Sequence, residues 1–225
     1  MISAVLPASV ATVESYGALP GEALLPEEEP LVARAVPRRR AEFTTTRSCA
    51  RRALAELGLP AVPLLSGPAR EPLWPDGVVG SLTHCAGYRA AAVARAGDLA
   101  TIGIDAEPHE PLPDGVRERV ALGEELDQLR RLGRRNPGLH WDRLLFSAKE
   151  SVYKAWYPLA RCRLGFDDAT VAFSPGADPT SGSFTAELLA RGLPPVAGRA
   201  IWLFDGRYVV RDRLLVTAVA LPAGD

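Results

Sequence analysis

Residues 88–113 read YRAAAVARAGDLATIGIDAEPHEPLP, and the organisation of the whole chain turns on them. Two runs, 88–94 and 101–107, are built of small and β-branched apolar residues, and Gly97-Asp98 lies between them as a turn signal. The stretch therefore predicts a hairpin of two strands, the second ending in Asp105 and Glu107. Immediately after it, PHEPLP places three prolines in six positions, which interrupt strand and helix alike. This is the expected boundary between two halves, residues 1–107 and 108–225.

Working back from the hairpin, GSLTHCAG (80–87) predicts a small-residue loop after a short strand at 78–79, and residues 60–77 are loop-rich. Before that, 38–57 has helical apolar spacing through Phe43, Ala50, Leu54 and Leu57, closed by Gly58 and Pro60. Arg40, Thr44, Arg47 and Arg51 fall on one stripe of that helix. Beyond the boundary come a charged helical region over 115–133 and a longer helix over 141–159. The runs TVAFS, FTAELL, AIWLF, YVV and LLVTAVAL, separated by Gly, Pro and Asp, then predict an antiparallel sheet. The fold class is α+β.

Composition sets limits on function. A chain of 225 residues that is 47 % hydrophobic can bury a substantial core, and a net charge of −1 gives no global field toward nucleic acid or an anionic membrane. Any anion site must be local. Cys49, Cys85 and Cys162 form no CxxC pair and have no histidine cluster to complete a zinc site, so free thiols in a reducing compartment are expected. No basic leader or long apolar run precedes the first strand, and the cytoplasm is the expected location.

The chain has twenty-four arginines and two lysines, and both lysines lie in FSAKESVYKAW, residues 146–156. Two residues placed at random would fall this close roughly one time in twenty. On the predicted helix Leu145, Ala148, Val152, Ala155, Trp156 and Leu159 form an apolar stripe; Glu150 and Lys154 lie near the opposite side, and Lys149 at the stripe's edge. An exposed Glu-Lys pair at i,i+4 needs no function.

Three sets of residues can carry chemistry. Asp105 and Glu107, at i and i+2 of a strand, point to one face about 7 Å apart and can converge on one cation; the plainer reading is a solvated strand end. Glu150 is a third carboxylate, with the lysines serving a phosphate. Arg38, Arg39, Arg40, Arg47, Arg70, Ser81, Thr83 and His84 offer forks, hydroxyls and an imidazole to a phosphorylated ligand, or else form a basic face and a turn. Neither GxxxxGK[ST] nor GxGxxG occurs.

Taken together, GSLTHC, GIDAE and FSAKESVYKAW behind an arginine-bearing helix resemble the Sfp-type 4′-phosphopantetheinyl transferases over about residues 38–165. The resemblance implies a pseudo-twofold arrangement of two similar α/β subdomains with coenzyme A in the cleft between them. It implies Mg2+ held by Asp105, Glu107 and Glu150, with Glu150 also the general base, and Lys154 at the phosphates. It further implies that Arg39 and Arg47 hold the adenosine 3′-phosphate end, and that Ser81, Thr83 and His84 contact the coenzyme A phosphates. Relatives often carry a lysine before the SxTH segment; here SGPAREPLW offers Arg70.

The implied reaction is transfer of 4′-phosphopantetheine from coenzyme A to a serine of an apo acyl carrier or peptidyl carrier protein, by a monomer. Such carriers are typically acidic, and Arg117, Arg119, Arg130 and Arg131 are candidate contacts. Two other activities remain open: a metal-dependent phosphohydrolase or nuclease using the same three carboxylates, and a non-catalytic nucleotide-binding module.

Overall fold

The structure is a computed structural model that describes residues 1–224 other than 191, 197 and 199. The first half consists of β1 (Ala11–Ser15), α1 (Pro37–Glu56), β2 (Val78–Cys85) and β3 (Tyr88–Arg95). The chain continues through β4 (Leu99–Pro108), α2 (Arg117–Val120), α3 (Gly123–Arg135) and α4 (Trp141–Ala160), and then β5 (Ala169–Pro175), β6 (Ser181–Leu188), β7 (Leu203–Arg211) and β8 (Leu214–Pro222). The strands form two antiparallel sheets, β1-β3-β2 and β4-β8-β7-β6-β5. Each half therefore sets a twenty-residue helix on an antiparallel sheet, α1 on the first and α4 on the second. Among the described residues, no helix is long and apolar enough to cross a membrane.

Both strands of the opening stretch exist, but they do not form the expected hairpin. β3 pairs with β1 and β2, whereas β4 pairs with β8. The reason lies in the side chains of β3, which is apolar on both faces. Ala91 and Val93 pack toward α1 with Cys49, Ala50 and Leu54. Tyr88, Ala90, Ala92 and Ala94 pack on the other side with Ile102 and Ile104 of β4. A strand covered on both faces loses the in/out alternation that marks a surface hairpin. β3 and β4 therefore meet face to face in a shared core.

The predicted loop over 80–87 is also corrected, because strand β2 runs on to Cys85 and pairs with β3 from Val78↔Arg95 to Cys85↔Tyr88. Only Ala86 and Gly87 are left to turn the chain, and Gly87 takes φ +79°, which a side chain would oppose. Farther on, AIWLF and YVV are not separate strands, since Leu203–Arg211 is continuous and its Gly206 leaves room for the Phe184 ring. The charged region at 115–133 divides into α2 and α3. The long helices match their predicted bounds to within a residue.

The two sheets join where β2 meets β4, and side chains make the seam. Ser81 Oγ accepts the Ile104 N–H at 3.1 Å, and Thr83 Oγ1 accepts the Ala106 N–H at 3.0 Å. On the same strand, Gly103 brings α4 close: a Cβ there would stand 1.9 Å from the Ser151 carbonyl oxygen. Thr101 donates its hydroxyl to the Ala155 carbonyl at 2.7 Å, one turn farther along. These contacts set Glu150 and Lys154 above Asp105.

Candidate active site

A cleft of about 550 Å3 opens between α1, residues 66–72, β2 and α4. Asp105, 5 % exposed, does not itself line the cleft but is bonded to its wall, where Oδ1 accepts Lys154 Nζ at 2.7 Å. The same ammonium donates to the Ile104 carbonyl at 3.1 Å. Asp105 Oδ2 is buried without a hydrogen-bond partner. A buried carboxylate oxygen left bare is costly unless a cation or donor completes it.

The other two carboxylates respond to Asp105. Burial and the Asp105 charge push Glu107 up to about 7, against the pull of Arg143 and Lys154. Glu150 is raised as well, first by burial and then by Asp105. Glu107 Oε2 is held by Arg143 Nη1 at 3.1 Å, and the same guanidinium donates to the Glu110 and Pro111 carbonyls at 3.2 and 2.9 Å. Among the described residues, no three His, Cys, Asp or Glu side chains stand together as a finished metal site. Lys154 holds Asp105 and Arg143 holds Glu107 instead. The bare Oδ2, with Glu107 and Glu150 near enough to feel its charge, is nonetheless the chemistry that a hard, oxygen-seeking cation such as magnesium would complete.

The cationic wall comes from the first half. Arg39 Nη1 donates to His84 Nε2, which puts the ring proton on Nδ1, 3.6 Å from Glu42 Oε2. Burial and the Arg39 charge pull His84 down to about 4, so the ring is neutral at ordinary pH. Arg47 also lines the cleft, but most of its guanidinium is engaged. Nε donates to the Leu64 carbonyl at 2.9 Å, Nη2 to Ser66 Oγ at 3.3 Å, and the head lies 4.0 Å over the Phe43 ring. Burial draws its pKa down to about 10. Arg70 reaches the cleft from a residue with φ +67°.

The cleft thus gathers Arg39, Arg47, Arg70, Ser81, Thr83, His84, Glu150 and Lys154 along its wall, with Asp105 bonded to Lys154. The Ser81 and Thr83 hydroxyls face β4, and Thr83 Oγ1 also stands 3.5 Å from Asp105 Oδ1. Glu107 lies to one side with Arg143. Of the four arginines considered as carrier contacts, Arg117 and Arg130 border a separate cavity of about 440 Å3 between α2, α3 and the start of α4.

Sequence reasoning passed over Arg143, Glu71, Tyr153 and Arg161. Arg143, Glu150 and Lys154 follow at steps of seven and four, which places them on one face of α4. That spacing was the available signal for Arg143, hidden among two dozen arginines. Glu71 and Arg161 form an ion pair from the 66–72 segment to the end of α4, and no local pattern joins residues ninety positions apart.

Comparison with known proteins accounts for both halves. A family model described as the 4′-phosphopantetheinyl transferase N-terminal domain matches residues 27–94, and one for the 4′-phosphopantetheinyl transferase superfamily matches 101–193. The chain is 54 % identical to 4′-phosphopantetheinyl transferase Svp of Streptomyces mobaraensis, over all of this chain and 91 % of that protein. It is 46 % identical to 4′-phosphopantetheinyl transferase PptT of Mycobacterium tuberculosis, over 98 % of each. Enterobactin synthase component D of Salmonella typhi is 35 % identical over 60 % of this chain and 55 % of its own length. With near full-length identity added to both models, the chain belongs to the 4′-phosphopantetheinyl transferases, enzymes that use coenzyme A and magnesium to modify carrier proteins.

Proposed function

We propose that this chain carries out the transfer in the cleft between its halves, with Asp105, Glu107 and Glu150 holding Mg2+ against the coenzyme A pyrophosphate. The observation that supports the reading most is Asp105 Oδ2, buried and unpartnered beside two carboxylates whose ionisation it resists. When bound, magnesium would neutralise the pyrophosphate and the charge developing as its bond breaks. Arg39 and the remaining N–H donors of Arg47 hold the adenosine 3′-phosphate end, Arg70 offers its charge from the 66–72 segment, and His84, neutral, accepts from Arg39 and so fixes that guanidinium in the cleft wall.

The serine hydroxyl of the carrier attacks the β-phosphorus, the bond to the α-phosphate oxygen breaks, and adenosine 3′,5′-bisphosphate leaves. Glu150, whose raised pKa brings it closer to working pH, takes the serine proton. Lys154 meets the departing phosphate with the donor that Asp105 and Ile104 leave free. Positioning and charge do most of the work, as phosphoryl transfer requires. One chain supplies both walls, so the enzyme acts as a monomer. Its three free thiols suit the cytoplasm.

Incubation with coenzyme A, Mg2+ and an apo carrier protein should add one phosphopantetheine of mass to the carrier, and EDTA should stop it. Free nucleotide released without any change in carrier mass would support the phosphohydrolase in its place.

A further inference from the structure

Lys149 is the lysine for which the phosphate site has no use. It adjoins Glu150 on α4 but is absent from the cleft wall, and 3 % of its side chain is exposed. Its ammonium has three N–H donors and meets three acceptors: the Val120 carbonyl at 2.8 Å, Glu125 Oε2 at 2.7 Å and the Phe166 carbonyl at 2.7 Å. These come from three segments, the end of α2, the first turn of α3 and the connection from α4 to β5. Glu125 is committed too, since its carboxylate also accepts the Leu122 N–H at 2.7 Å and the Val171 N–H at 2.8 Å. Nothing in this cluster is left over for a ligand.

The segment it grips borders the chemistry. Leu164 and Phe166, with Lys149, Glu150 and Tyr153, line a third cavity of about 190 Å3, while Glu150 and Tyr153 also line the cleft. We propose that Lys149 is a positioning residue, whose three bonds lock the α2–α3 corner and the Phe166 segment onto α4 and thereby hold Glu150, and the cavity beside it, in the geometry that transfer needs. The proposal rests on the reading of Glu150 as base and metal ligand. It also accounts for a lysine in a chain that otherwise uses arginine. One nitrogen with three diverging donors suits acceptors that converge on a single point, whereas a guanidinium that reaches three acceptors, as Arg143 does, spreads them around its plane.

Two variants test it. Lys149→Met combined with Glu125→Gln removes both charges at nearly constant volume, a replacement that commonly preserves a fold. Lys149→Arg keeps the pair charged but displaces the Phe166 segment. In both, a cooperative melt and a coenzyme A Kd within about twofold of wild type are expected. The kcat at saturating apo carrier should fall about tenfold or more, because small displacements near reacting groups reach a hundredfold. A folded variant of either kind with kcat within about twofold of wild type overturns the proposal, as does a parallel loss of coenzyme A affinity. Glu150→Gln is assayed alongside. If it is fully active the reading of Glu150 fails; if it is inactive while the Lys149 variants turn over normally, only the positioning role fails.

Discussion

Asp105 and Lys154 balance each other's charge where α4 crosses β4. The carboxylate has one oxygen on the ammonium and one on nothing, and the ammonium has a donor to spare. Asp105→Ala or Glu150→Gln should therefore cut transfer by roughly a hundredfold or more while leaving the fold intact, since neither touches the apolar face of α4. Turnover at the wild-type rate in either variant would remove the carboxylates from the mechanism. Lys154→Arg should be badly impaired despite its kept charge, because the longer, planar guanidinium cannot keep the bonds to Asp105 at 2.7 Å and the Ile104 carbonyl at 3.1 Å on one nitrogen and still aim a third, tetrahedral donor into the cleft. His84 gives a separate reading in pH. Its folded pKa of about 4 lies below the free value of 6.5, so between these the unfolded chain binds the extra proton. Stability from this residue is complete above about 6.5 and is lost as pH falls toward 4. His84→Gln, tracked by thermal melts across that window, should flatten the slope; an unchanged slope would clear the imidazole. At this scale rarity governed what the sequence showed. Two lysines stood out at once, whereas Arg143 and Arg161 were lost among the arginines.

α4 is the element that turns packing into chemistry. Ser147, Ser151 and Ala155 keep its inner face small, and Gly103 lets its backbone rest on β4, so the helix carrying Glu150 and Lys154 is registered against the strand carrying Asp105. Gly103→Ala would put a Cβ 1.9 Å from a main-chain oxygen that cannot swing away. The helix must shift, at a cost of about 1–3 kcal/mol for overpacking. Urea unfolding should show that loss, and transfer should fall further than coenzyme A affinity because the shift lands on the α4 residues; wild-type behaviour in both would mean the close approach is not needed. The bounds of α4 were legible because a 3.6-residue apolar period repeats along it, and the end of α1 because Gly58 and Pro60 close it, although its buried face also takes in Glu42, Thr45, Thr46 and Arg47. Strand pairing was not. Local reading joined the strand at 88–94 to its neighbour at 101–107, yet β4 found its partner in β8, more than a hundred residues away.

At the scale of the molecule, the halves meet along β2 and β4 through two hydroxyls in place of a backbone ladder. Ser81 and Thr83 accept the Ile104 and Ala106 amides on the two sides of Asp105, so the seam between the sheets and the base of the cleft are one structure. The first half brings Arg39, Arg47, Arg70 and His84, the second brings Glu150 and Lys154, and the Glu71–Arg161 pair ties the outer edge. Ser81→Ala with Thr83→Val removes both acceptors at almost unchanged shape and leaves two buried N–H groups unpaired. Each costs about 1–3 kcal/mol, and in a chain of this size each 1 kcal/mol lowers the Tm by about 2–4 °C. The same change frees one wall of the cleft to move against the other, so coenzyme A, which the proposed reading sets across both, should bind more weakly than the lost stability alone would require. Calorimetric titration well below the lowered Tm separates the two effects. Unaltered affinity there would mean that the hydroxyls support the fold without setting the distance between the walls.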